Sequence, residues 1–169
     1  VVDNGTLKTH QEFVDQFSEL QRDEFNIQEA LTHGTPISSI IVGKKDGVGM
    51  HGIAYDAKLL SFAVDLGDDI ECPSCYVDYT AAWNILALNE FDAVKIINNS
   101  FGAHGDISSY IPSVEEQISI AALVAKDKLI VASAGNDMHL MPNSSPASLP
   151  YFDPTLKNNF ISAIAYNPN

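Results

Sequence analysis

Short apolar runs alternate with stretches of helical periodicity along this chain, and this alternation is the strongest constraint on its fold. The apolar runs predict strands at residues 1–2, 58–64, 94–98, 129–133 and 160–165. The patterns between them predict helices over residues 35–42, 77–89 and 112–126. The predicted apolar face of the second helix is Ala81, Ile85 and Leu88, and that of the third is Val114, Ile118, Ala121, Ala122 and Ala125. Strands that alternate with helices are typical of βαβ units. The sequence therefore predicts an α/β fold with a mainly parallel sheet and helices on both of its faces.

The composition limits the class of protein and its partners. The 169 residues suffice for one domain with a buried core, and 46% apolar with 18% charged residues is a globular composition. The net charge of −13 repels phosphate backbones and anionic lipids, which argues against nucleic acid as a partner. No run of about 18 apolar residues occurs, so we expect no membrane contact by this segment.

The two cysteines, Cys72 and Cys75, form a single C-x-x-C pair. Such a pair supplies only two of the four ligands of a structural zinc site. The acidic residues Asp68, Asp69 and Glu71 lie just upstream and disfavour a reactive thiolate. A disulfide between the two cysteines is the favoured interpretation and suits a secreted protein. Two unpaired thiols, or a redox or metal role, stay open as alternatives.

Polar residues follow three of the predicted strands and begin one predicted helix. Asp3, Ser100 and Asn136 lie at or after strand ends, and His33 begins a helix. Sites in open α/β sheets lie beyond the carboxyl ends of the strands, so these residues converge on one edge. An aspartate can hold an imidazole in one tautomer and stabilise the imidazolium, which suits a general base. Taken singly, the aspartate and the asparagine are more often turn residues or helix caps, and a lone histidine is more often a surface or hydrogen-bonded structural group.

Several segments match the motifs of one protein family in order. Asp3-Asn4-Gly5 matches a strand followed by Asp-x-Gly, with Asn4 where serine or threonine is usual. A His-Gly-Thr-Pro helix start lies 30 residues later, and a Ser-Ala-Gly-Asn segment follows the predicted strand at 129–133. The matching blocks are residues 1–5, 33–41, 49–57, 97–102, 133–136, 145–148 and 160–165. Together they resemble the subtilisin-like serine proteases (subtilases, peptidase family S8), and residues 1–169 resemble part of the catalytic domain.

The resemblance implies a serine endopeptidase that acts on protein or peptide substrates. Asp3 would orient His33 as the general base, and the Asn136 side chain would donate to the oxyanion. An extended substrate would pair with the backbone after the predicted strands. The residues expected to bind it are Ser100, Phe101, Gly102, Ser133, Ala134 and Gly135.

The family's nucleophile is not found within the 169 residues. It stands in a Gly-Thr-Ser-x-Ala-x-Pro block, and no serine after Asn136 is preceded by Gly-Thr. We therefore expect a domain truncated at its C-terminal side, inactive as this fragment, with exposed apolar surface that promotes self-association. A subtilase-fold scaffold that has lost the serine is the alternative. A Rossmann-type nucleotide binder is disfavoured because no Gly-x-Gly-x-x-Gly turn follows the first strand.

The resemblance further implies a calcium site and a location. No cofactor is required for the chemistry, but Glu12 and Asp46 stand where many subtilases hold structural calcium. The alternative is that Lys44 and Lys45 neutralise this loop and leave two solvated carboxylates. The segments 3–6, 97–100 and 148–156 resemble protease passengers of bacterial autotransporters. This predicts a secreted protein or one on the bacterial cell surface.

Overall fold

The computed structural model describes residues 1–26, 33–64, 79–104, 112–136 and 144–164. The chain divides into two units, residues 1–82 and 83–169. The boundary between them lies within one helix, Tyr79–Leu86.

The first unit contains a pair of parallel strands and one helix. The elements are β1 (Val2–Asp3), α1 (Gly34–Val42) and β2 (Phe62–Ala63), with 3-10 turns at Gln11–Phe13 and Asp23–Phe25. Val2 pairs with Phe62 and Asp3 with Ala63. Parallel pairing of strands so distant in sequence requires a long crossover, which here contains α1.

The second unit contains three parallel strands and a small antiparallel ribbon. Its elements after the boundary helix α2 (Tyr79–Leu86) are β3 (Ile96–Asn99), β4 (Ala103–His104), α3 (Val114–Ala125), β5 (Leu129–Ser133), β6 (Ser144–Ser145), α4 (Leu149–Phe152) and β7 (Phe160–Ala163). Two 3-10 turns lie at Asn89–Phe91 and Pro154–Asn159. β5 pairs in parallel with β3 and with β7, and β4 pairs antiparallel with β6. The predicted α/β fold with a mainly parallel sheet is confirmed.

Each unit has its own buried apolar residues. In the first unit Phe13, Val42 and Leu59 form a cluster, and the rings of Phe25 and Phe62 stack with centroids 4.5 Å apart. In the second unit the largest fully buried apolar side chains come from helices, strands and a 3-10 turn. They are Trp83, Phe91, Ile97, Ile120, Leu123, Ile130 and Leu149.

Hydroxyl and amide groups are buried in the first unit beside the apolar side chains. Thr6 Oγ1 lies 2.8 Å from Ser38 Oγ on α1 and 2.9 Å from Ser61 Oγ, which directly precedes β2. Asn26 closes the network, because its Oδ1 accepts from Thr6 N at 2.8 Å and its Nδ2 donates to Thr6 O at 2.7 Å. Satisfied buried polar groups fix one arrangement of their elements. The chain after β1 is thereby fastened to α1 and to the start of β2.

One lysine is fully buried at the start of β5. Lys128 Nζ donates to Phe91 O at 2.6 Å and to Val94 O at 2.7 Å. Burial lowers the pKa of Lys128, with Lys95 and Lys126 acting in the same direction and Asp92 opposing them. Phe91 ends the 3-10 turn at Asn89–Phe91 and Val94 lies three residues further on, so the ammonium joins the two ends of the segment that follows the turn.

The predicted helices and strands are present, but the buried faces predicted for α2 and α3 are wrong. Ile118 of the predicted α3 stripe is 64% exposed, whereas Glu116, Ser119, Ile120 and Leu123 are buried. Leu88, predicted to lie on the buried face of α2, is 52% exposed. None of the helices among the described residues is long and apolar enough to cross a membrane.

Candidate active site

A buried carboxylate ends the first strand. Asp3 is the last residue of β1 and has no exposed surface. Its Oδ1 accepts from Asn4 N at 2.8 Å and lies 2.9 Å from His33 Nδ1, while its Oδ2 lies 3.1 Å from the same nitrogen. A buried carboxylate is costly unless it is paired and hydrogen-bonded. The imidazole and one backbone N–H provide those partners.

The histidine faces the carboxylate with one nitrogen, and no residue in the described ranges hydrogen-bonds to its other nitrogen. His33 immediately precedes α1, and its side chain is 50% exposed. Because Nδ1 must donate to an ionised Asp3, the proton of the neutral ring lies on Nδ1 and the lone pair on Nε2. This is the tautomer of a general base that takes a proton at Nε2. The predicted meeting of Asp3 and His33 is present in the structure.

The absence of a side chain at Gly34 allows the first turn of α1, and with it His33, to lie against Asp3 at the end of β1. A Cβ added to Gly34 would lie 2.2 Å from Gly5 O and 3.1 Å from Asp3 Oδ1. Contacts below 3.0 Å with backbone cannot be relieved by a rotamer change. The first turn of α1 therefore lies against the end of β1 only because residue 34 is glycine, and His33 reaches Asp3 for the same reason.

Two further contacts join the chain after β1 to the start of α1. Asn4 Oδ1 accepts from Gly34 N at 2.8 Å, and Thr35 Oγ1 accepts from Leu7 N at 2.8 Å. Sequence reasoning missed the contact of Asn4, which stands next to the carboxylate and was noted only as a departure from the usual serine or threonine. The sequence shows only that His33, and not one of the preferred capping residues, stands at the start of the helix, which indicates an external cap but does not identify the residue that supplies it.

The predicted substrate-binding segments lie in the second unit, at the carboxyl ends of neighbouring parallel strands. Asn99 of β3 pairs with Ala132 of β5, so the residues that follow these two positions leave the sheet at the same edge. The Ser100 hydroxyl accepts from Asn98 Nδ2 at 2.9 Å. Phe101 and Gly102 follow and are partly buried.

The segment after β5 turns sharply before the predicted oxyanion donor. Ser133 ends β5 with its Oγ accepting from Gly135 N at 3.2 Å, and Ala134 N donates to Ala163 O at 2.8 Å. Gly135 has a φ of +92°, a conformation that favours glycine. Asn136 follows and is exposed. Its role as an oxyanion donor stays a prediction.

The two predicted calcium ligands have different surroundings. Glu12 is only 6% exposed, and a Cβ added to Gly49 would lie 2.3 Å from its Oε1. Within the described ranges no donor hydrogen-bonds to this carboxylate, and no group of three or more His, Cys, Asp or Glu side chains could hold a metal. Asp46 is exposed, and its Oδ1 accepts from Val48 N at 3.0 Å within its own loop. Glu12 therefore fits a cation better than Asp46 does.

The predicted disulfide between Cys72 and Cys75 lies outside the described residues.

Comparison with known proteins places the chain in one group of enzymes. A model of the subtilase family matches residues 1–169. The chain is 26% identical over 211 residues to an extracellular serine protease of Serratia marcescens and 29% identical over 160 residues to fervidolysin of Fervidobacterium pennivorans. These alignments cover 95% and 89% of this chain. The chain spans only 19% and 22% of the lengths of those curated relatives.

Solved structures of the same kind share the fold. The prenylagaramide maturation protease PagA matches with a TM-score of 0.68 at 24% identity, over 95% of this chain and 51% of that one. The S41 psychrophilic protease matches with a TM-score of 0.66 at 23% identity, over 95% and 50%. At these identities the likeness concerns the fold alone, and it confirms the subtilisin-like architecture.

Replacing Gly34 by alanine tests the close approach of α1 to β1. We expect Gly34→Ala to lower the free energy of unfolding by about 3 kcal/mol or more, because the new methyl group meets backbone that cannot yield. Gly47→Ala is the control, since residue 47 has a φ of +84° but open space around it, and it should cost about 1 kcal/mol. Urea unfolding in the presence of a chelator measures both. Equal losses in the two variants would contradict the steric account.

Proposed function

The chain belongs to the subtilase family, and from that premise we propose that the protein is a serine endopeptidase whose nucleophilic serine lies outside residues 1–169. The observation that carries the proposal is the contact of His33 Nδ1 with both oxygens of the buried Asp3 at 2.9 and 3.1 Å. This contact sets the tautomer that proton transfer to a serine hydroxyl needs.

Each residue has one task in the proposed mechanism. His33 takes the proton of the attacking serine at Nε2 and returns it to the leaving amine. Asp3 stays ionised throughout and stabilises the imidazolium. The Asn136 side chain and backbone N–H groups donate to the oxyanion of the tetrahedral intermediate. The backbone of Ser100–Gly102 pairs with an extended protein or peptide substrate by strand addition.

The 169-residue chain by itself is proposed to be inactive. Among the residues that the structure describes, no serine hydroxyl hydrogen-bonds to His33. Without the nucleophile only substrate binding and oxyanion stabilisation remain. Large apolar side chains are exposed, such as Ile53 at 89% and Val114 at 72%. Exposed apolar surface supports the further proposal that this fragment self-associates.

We propose a secreted or bacterial cell-surface location, as the passenger of an autotransporter. A relative from Serratia marcescens is named an extracellular serine protease, which supports the coarser part of this proposal. The net charge of −13 suits neither nucleic acid nor an anionic membrane surface as a partner.

Calcium is proposed as a structural ligand at Glu12. The carboxylate is almost fully buried and is without a hydrogen-bond donor among the described residues, which is an unfavourable state for an ionised group. A hard cation would compensate the charge, and carbonyls of the loop at 43–52 could complete its oxygen shell. Asp46 is the second carboxylate proposed for this site.

His33→Ala in the full-length protein tests the proposed base. Hydrolysis of a peptide substrate should fall by about six orders of magnitude in kcat, the size of the loss in subtilisin itself, because no group remains to take the serine proton. His51→Ala is the matched control, since that ring is exposed and contacts Tyr55 rather than a carboxylate. It should retain the wild-type rate.

Near-normal turnover by His33→Ala, still blocked by a serine-directed inhibitor, would mean that another residue is the base. A wild-type protein that binds peptides but hydrolyses none of them would instead favour the scaffold alternative.

Glu12→Gln tests the calcium proposal. Calcium at about 100 times its Kd should stabilise the wild-type protein by about 2.7 kcal/mol, seen as a higher melting temperature. The variant should lose most of this shift, yet in a chelator it should melt at the wild-type temperature or above, because a buried charge has been removed. Glu19→Gln, at an exposed position, should keep the full shift. A wild-type melting temperature indifferent to calcium would refute the site.

A further inference from the structure

Asn4 forms hydrogen bonds to Asp3 of the proposed catalytic dyad and to the backbone next to its other member, His33. Its backbone N–H donates to Asp3 Oδ1 at 2.8 Å, and its side-chain Oδ1 accepts from Gly34 N at 2.8 Å. Gly34 is the residue directly after His33. One residue therefore contacts both the carboxylate and the backbone that carries the imidazole.

The helix that carries His33 depends on an acceptor from outside itself. The first N–H groups of a helix have no partner within it. His33 occupies the N-cap position in an α-helical conformation, with φ −116° and ψ −54°, and makes no capping hydrogen bond. Pro36 has no N–H, and Ile37 N already donates to His33 O at 3.2 Å. Gly34 N and Thr35 N are therefore the first-turn donors without a partner inside the helix, and Asn4 Oδ1 accepts from Gly34 N.

From this arrangement we propose that Asn4 is a positioning residue for His33, acting as the N-terminal cap of α1 in place of a capping residue within the helix. The inference rests on the proposed function for its catalytic meaning. Asn4 Oδ1 fixes the first turn of α1 relative to the end of β1. The imidazole then holds both oxygens of Asp3 with Nδ1 while Nε2 points away from them.

The capping contact with Gly34 N requires a particular kind of side chain at residue 4. The contact needs an acceptor two bonds beyond Cβ, which asparagine and aspartate provide and the isosteric leucine does not. Among the described residues, the Asn4 side chain makes no hydrogen bond with the Asp3 carboxylate or with the His33 ring. Its loss should therefore lower the rate of proton transfer while leaving substrate binding unchanged.

The experiment compares Asn4→Leu with Asn4→Asp in the full-length protein. We expect Asn4→Leu to lower kcat by about 10-fold with KM within about twofold, because a misaligned base affects the chemical step. Asn4→Asp keeps the acceptor and should stay within about threefold of the wild-type kcat. Thr35→Val is the control for general damage to the first turn, since it removes the acceptor of Leu7 N without touching Gly34.

A second measurement does not depend on hydrolysis. The downfield NMR resonance of the His33 Nδ1 proton reports the hydrogen bond to Asp3. It should be present in the wild type, Asn4→Asp and Thr35→Val, and broadened or absent in Asn4→Leu. If Asn4→Leu does not fold, Asn4→Ala replaces it, with the same expected loss.

The outcomes separate this inference from the proposed function. Wild-type kcat and resonance in a folded Asn4→Leu or Asn4→Ala would overturn the positioning role and leave the protease proposal standing. Equal losses in Thr35→Val and Asn4→Leu would also overturn it. A wild-type protein without hydrolytic activity would refute the proposed function, while the resonance would still decide whether Asn4 holds the imidazole.

Discussion

The pairing of a fully buried carboxylate with an imidazole is the interaction on which the proposed site depends. Asp3 has no contact with solvent, so its charge must be met by donors within the protein. His33 and the N–H of Asn4 are the donors that the structure provides. The His33 ring contacts the buried Asp3 carboxylate on one side, and its other side is exposed to solvent. A histidine in such surroundings suits the proposed role of a general base.

Several weak local features together hold this pair. Gly34 leaves room for α1 to touch the end of β1, Asn4 caps the helix from the neighbouring loop, and Thr6 with Ser38 joins the same loop to the helix interior. None of these contacts involves the reacting atoms. They restrict α1 to one position on β1, which is the kind of preorganisation that a general base requires.

The sequence predicted the elements and the dyad better than it predicted the buried faces. β5 occupies the predicted residues 129–133, and Asp3 meets His33 as expected. On α3 the periodicity failed because Glu116 is buried through hydrogen bonds: its carboxylate accepts from Ser113 N at 2.8 Å and contacts Ser145 Oγ. The contact of Asn4 with Gly34 was missed because it joins residues 30 positions apart, and no local pattern encodes such a partner. The ribbon of β4 and β6 was missed because Ala103–His104 and Ser144–Ser145 lie in no apolar run of the kind that predicted the other strands.

The central claim is that Asp3 and His33 activate a serine supplied from outside residues 1–169. Labelling of the full-length protein with a fluorophosphonate, followed by peptide mapping with mass spectrometry, tests it most directly. We expect one adduct, on a serine beyond residue 169, whose rate of formation falls by orders of magnitude in Asp3→Asn. An adduct on a serine within residues 1–169, or a labelling rate that Asp3→Asn leaves unchanged, would contradict it.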